Sequence, residues 1–168
     1  KKFVEDGRMG EIYCGRCGWQ RRRGIPGKGG WFTTKAQSGG GPLIDLGVHV
    51  IDFVRYALGN PKPISVYGAT FAKLGNRPDI KDRASIVNYA SVHSKDVFTV
   101  EDMATALIRF DNGAVLAVEA SFNLHIKKDT GTIELFGSKG GAKLSPEFEL
   151  YTEMNNYLVD VNLNMPSA

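Results

Sequence analysis

Asp45, His49 and Asp52 follow one another at spacings of four and three in "SGGGPLIDLGVHVIDF", Ser38 to Phe53. On a helix each residue turns by about 100°, so the three share a stripe about 60° wide. A carboxylate four residues from an imidazole can accept its N–H, fix its tautomer and stabilise the imidazolium, the pairing that acid/base chemistry needs. The helix N-terminus favours a negative charge such as Asp45, and Gly39, Gly40 and Gly41 would let the backbone approach a ligand closely. The same residues also suit a buried, satisfied histidine with an aspartate near a helix start. A metal is a weaker third reading, because no second histidine is near and His93 and His125 stand in unrelated contexts.

Two further groups could carry chemistry. Cys14 and Cys17 form a C-x-x-C, but no second cysteine pair completes a zinc site. In a strand they point to opposite faces, as ordinary reduced thiols. Arg21, Arg22 and Arg23 could hold a carboxylate or phosphate through bidentate contacts, with Trp31 and Lys35 in the same loop able to flank a ligand.

The elements that must position these residues follow from the pattern. Lys2 to Asp6 ends a helix at Gly7, and Glu11 to Trp19 reads as a strand. Residues 21–41, Gly-rich and without period, read as a long loop, a type that is often functional. Leu43, Leu46, Val50, Phe53, Val54 and Ala57 recur at steps of three and four, so Pro42 to Leu58 is a helix, stopped by "GNPKP". Ile64 to Leu74 reads as a strand, and the polar residues 75–96 take no clear form. Val100 to Phe110 and Ala114 to Leu124 form a hairpin, with Asn112-Gly113 able to supply the positive backbone angles of its turn. Thr132 to Leu144 folds into a second hairpin, and one or two strands follow in "EFELYTEMNNYLVDV".

Early helices followed by many strands predict an α+β fold, an open, largely antiparallel (mixed) sheet with helices on one face. The strand from Ala114 has an apolar face and a mixed one, Val115, Ala117, Glu119, Ser121 and Asn123, suited to solvent or another subunit. At 168 residues and 42% apolar, one core is expected. A net charge of +3, much of it in one arginine run, does not point to nucleic acid. No apolar run could span a membrane and no leader-like segment opens the chain, so the sequence reads as cytoplasmic.

"RRRGIPGKGGWFTTKAQSGGGPLIDLGVHVIDFVRYALGNPKPISVYGAT", "VEDMATALIRFDNGAVLAVEASF" and "IELFGSKGGAKL" together resemble the C-terminal domain of the glucose-fructose oxidoreductase/inositol dehydrogenase (Gfo/Idh/MocA) family. The resemblance implies a fold like the C-terminal domain of glyceraldehyde-3-phosphate dehydrogenase. It also implies NAD- or NADP-dependent oxidation of an alcohol carbon on a sugar, cyclitol or related polyol, with His49 as acid/base, Asp45 orienting substrate or histidine, and Asp52 behind them. It places Arg22, Arg23, Trp31 and Lys35 beside the substrate, brings Gly40 and Gly41 close to the cofactor, and leaves the open sheet to form a homodimer or homotetramer. The family's G-x-G-x-x-G turn and Glu-Lys-Pro lysine have no counterpart here. Residues 1–168 therefore read as a C-terminal substrate-binding and oligomerisation domain, truncated at both ends, lacking the Rossmann domain and inactive alone. The other reading is a non-catalytic interaction module of the same fold.

Overall fold

The computed structural model describes residues 1–26, 30–77, 98–145 and 147–163. Its frame is one eight-stranded sheet in the order β2-β3-β4-β1-β5-β6-β7-β8. The strands are β1 (Ile12–Gln20), β2 (Pro63–Phe71), β3 (Met103–Phe110), β4 (Val115–Ser121), β5 (Thr130–Gly137), β6 (Gly140–Ser145), β7 (Glu149–Met154) and β8 (Tyr157–Val161). β1 lies mid-sheet, parallel to β4 and antiparallel to β5, and every other neighbouring pair is antiparallel. The predicted open mixed sheet is thus present.

The helices are α1 (Lys2–Glu5), α2 (Lys35–Ser38) and α3 (Val48–Ala57). α3 turns Val50, Val54 and Ala57 onto Phe110 of β3, Leu116 and Val118 of β4 and Leu135 of β5, in one apolar cluster. Period 3.6 in the helix and period 2 in the strands bring these residues together, and their burial is the main favourable term for the fold. A smaller cluster of Ile25, Leu46, Phe98, Val100 and Phe122 sits beside it. No helix among the described residues is long and apolar enough to cross a membrane.

Several details differ from the sequence reading. The loop 21–41 is not free of elements, since Trp31–Thr33 forms a 3-10 turn and Lys35–Ser38 forms α2. The helix predicted from Pro42 opens with a π-helical turn, Leu43–Gly47, before α3 begins. At Asp111-Asn112-Gly113 only Gly113 takes a positive φ, and the Asn112 side chain instead accepts the Ala114 N–H at 3.1 Å. Asn155 and Asn156, between β7 and β8, both adopt positive φ, as a two-residue turn requires. On the mixed face of β4, Ser121 and the following Asn123 are fully buried rather than open to solvent or a subunit. Polar 78–96 and His93 lie outside the described residues.

Candidate active site

The stripe is built by the π turn and the first turns of α3. Gly47 is buried over the sheet, and a Cβ added there would collide with the segment's own Leu43, 2.9 Å from its Cδ1, while standing in ordinary contact with the Ala120 Cβ of β4 at 3.5 Å. With Leu46, Gly47 and Val50 facing inward, the opposite side of the helix is turned out: Asp45 is half-buried, and His49 and Asp52 are exposed. π turns are often found at functional sites, where the extra residue re-aims the side chains around it. Neither Asp45 nor His49 makes a side-chain hydrogen bond among the described residues, so the expected Asp45–His49 bond is not formed. Exposure also removes the buried-pair reading of His49, which has a ring free to meet a ligand.

The glycines ahead of the stripe have an internal reason. A Cβ at Gly41 would lie 2.1 Å from the Glu101 carbonyl oxygen, and one at Gly40 would lie 2.7 Å from the Ile44 Cδ1. Both glycines are buried, and the close approach they permit is to their own chain. Glu101 and Asp102, in "VEDM", drew no attention in the sequence. The Asp102 carboxylate, buried, accepts the N–H groups of Lys73, Leu74 and Gly75 at 2.7, 2.6 and 2.8 Å. An acidic pair leading into a strand after a polar stretch was the available signal, but local pattern does not say what it faces.

The arginines hold the loop. Arg21 donates to the Gly24 carbonyl at 3.0 Å, and Arg22 to the Lys127 carbonyl at 2.9 Å. Arg23 donates to the carbonyls of Arg22 at 2.8 Å and Leu124 at 3.5 Å. Trp31, 55% exposed, packs edge-on against Phe32 with ring centroids 5.0 Å apart. Lys35 is exposed, its backbone N–H bound to the Thr99 hydroxyl at 2.8 Å.

Cys14 and Cys17 fall on opposite faces of β1, as expected. Burial pushes the Cys17 thiol up to about 12, so it stays protonated and unreactive. Among the described residues no three His, Cys, Asp or Glu side chains are grouped to hold a metal. The described residues do not by themselves fit a dinucleotide, since Gly40 and Gly41 are packed by Ile44 and Glu101 and among the described residues no glycine-rich turn runs from a strand into a helix.

Fold and stripe define a class: a one-sided sheet whose covering helix presents acid/base groups outward. The model of the GFO/IDH/MocA C-terminal domain matches residues 1–143, and the chain belongs to that family. It is 36% identical over 160 residues to the D-glucoside 3-dehydrogenase of Escherichia coli K12, covering 95% of this chain and 43% of that protein. It is 31% identical over 146 residues to the levoglucosan dehydrogenase of Pseudarthrobacter phenanthrenivorans, covering 83% of this chain and 36% of that protein. A levoglucosan dehydrogenase solved in complex with NADH and levoglucosan superimposes with a TM-score of 0.75 at 26% identity, covering 97% of this chain and 42% of that one. The chain thus spans less than half the length of these relatives.

Proposed function

We propose that this chain is the substrate-binding and acid/base half of an NAD- or NADP-dependent oxidoreductase acting on the CH–OH group of a sugar, cyclitol or related polyol. One observation carries the reading: the D-x-x-x-H stripe of a family whose relatives are named as sugar dehydrogenases is turned outward, with the Asp45 and His49 side chains making no hydrogen bond among the described residues. Exposed imidazole can accept the proton of the reacting hydroxyl, and the half-buried Asp45 carboxylate beside it can orient that hydroxyl or stabilise the imidazolium. The nicotinamide nucleotide supplies the hydride acceptor, and its binding groups belong mainly to a preceding domain. Trp31 and Lys35 border the polyol, Arg22 and Arg23 order the loop that carries them, and Asp52 supports Asp45 and His49 from the far end of the same stripe.

The isolated chain is inactive on this reading, because hydride transfer depends on holding donor and acceptor in register. The open face of the sheet joins copies into a homodimer or homotetramer. Its apolar part supports this, with Tyr67 84% and the neighbouring Leu107 51% exposed. Assay of the polypeptide from the complete reading frame with hexoses, hexosides and inositols, with NAD and NADP, tests the function. Polyol-dependent reduction of either nucleotide is expected. A well-folded, dinucleotide-binding protein with no turnover on this panel would favour an interaction module instead. Sedimentation of Leu107→Asp tests the assembly, and dissociation is expected.

A further inference from the structure

We infer that Glu101 is a further substrate-positioning residue, accepting a hydrogen bond from a polyol hydroxyl remote from the reacting carbon; this rests on the dehydrogenase reading above. Gly41, Asp45 and His49 follow at steps of four, and the Asp45 N–H bonds to the Gly41 carbonyl at 3.1 Å. One helical stripe therefore runs through all three. Its first position has no side chain, and Glu101 fills that place: a Cβ on Gly41 would stand 3.2 Å from the Glu101 carboxyl carbon, and one on Gly40 would stand 3.5 Å from its Oε1. The stripe thus continues as carboxylate, carboxylate, imidazole, although the first group comes from a distant part of the chain.

Glu101 is fixed in place by its neighbour. The Asp102 side chain is tied to Lys73, Leu74 and Gly75, its N–H donates to the Phe71 carbonyl at 2.8 Å, and its carbonyl accepts the Phe122 N–H at 2.9 Å. Glu101 is a half-buried residue, and its carboxylate accepts no hydrogen bond among the described residues. A partly desolvated acceptor on a rigid backbone gains from a donor, and hydroxyl groups are what a polyol offers. At about 1.5 Å of rise per residue, successive stripe positions lie about 6 Å apart. That is the scale of a sugar ring, so a ring held at His49 and Asp45 extends toward Glu101.

Steady-state kinetics of the intact protein test this, with methyl β-D-glucopyranoside and its monodeoxy analogues as probes. Glu101→Gln, which keeps the shape and removes the charge, is expected to raise KM and lower kcat/KM by about 10- to 100-fold while leaving kcat within a few-fold. One deoxy analogue should lose as much with the unaltered enzyme, and on that analogue enzyme and variant should be alike. Unchanged kinetics on every probe would overturn the inference, as would an equal loss on all analogues together with a lower thermal midpoint, which marks a structural role. His49→Ala, assayed beside it, separates the two readings. If His49→Ala is inactive and Glu101→Gln is silent, only this inference falls. If His49→Ala is fully active, or no hexose, hexoside or inositol is turned over with either nucleotide, the underlying reading falls with it.

Discussion

The outward stripe of the helix and the open face of the sheet both display ionisable side chains, but they treat them differently. Across the sheet one row of paired residues runs Tyr67, Leu107, Ala117, Arg16, Glu134, Lys143, Glu149. Its charges alternate and meet their neighbours: Arg16 pairs with Glu134, Lys143 donates to Glu149 at 2.9 Å, and the Tyr151 hydroxyl donates to the second oxygen of Glu149 at 2.5 Å. On the outward stripe, the side chains of Asp45, His49 and the adjoining Glu101 meet no such partners among the described residues. Charges paired within the sheet are spent on pairing strands, whereas groups left unpaired beside a rigid layer are available to a ligand.

The sharpest break between the two regions is His49→Ala in the intact protein. Loss of acid/base catalysis should lower turnover by about two to four orders of magnitude, with the thermal midpoint almost unmoved. Truncating the layer that carries both regions should do the reverse. Leu116→Ala, in the core between helix and sheet, is expected to cost about 2–5 kcal/mol in denaturant titration. Gly41→Ala lies between these. Its Cβ would collide with the Glu101 carbonyl, so about 1–3 kcal/mol of stability should go, together with activity, as the head of the stripe shifts.

The smallest effect belongs to the sheet row and is seen as a pH dependence. Hydrogen bonds from Tyr151 and then Lys143 hold the Glu149 carboxyl below its ordinary 4.5, and stability from it should fade as pH drops below that value. Its bond to Glu149 raises Tyr151 above its ordinary 10.0, so that contribution should fade as pH rises past 10.0; Lys143, raised by the same carboxylate, behaves alike above 10.5. Thermal midpoints of Glu149→Gln should therefore follow a flatter pH curve than the unaltered protein at both ends, with no change in the activity profile.

Much of the scaffold was legible because it rests on local periodicity. The spacing of Leu46, Val50, Val54 and Ala57 announced a helix, and alternation from Ala114 announced a strand with one buried face. The parallel insertion of β1 beside β4 was not legible, since strand pairing depends on residues a hundred positions apart. Ser121 and Asn123 were misplaced for a related reason: alternation describes a strand's two faces, and near its end another part of the chain can cover both. The turn at Asn112-Gly113 was placed correctly, but its form was decided by the Asn112 side chain bonding to the backbone.

The sequence by itself determined the helix, the common stripe of Asp45, His49 and Asp52, the opposite facing of Cys14 and Cys17, and the family. These follow from residue types at fixed short spacings, which local geometry converts directly into direction. Only the tertiary structure decided that His49 is exposed and makes no side-chain hydrogen bond among the described residues, that Arg21, Arg22 and Arg23 are engaged by backbone carbonyls, and that Glu101 takes the place of a side chain at Gly41. Each of those depends on which distant segment packs against the site, and packing is set by the whole core rather than by neighbours in the chain.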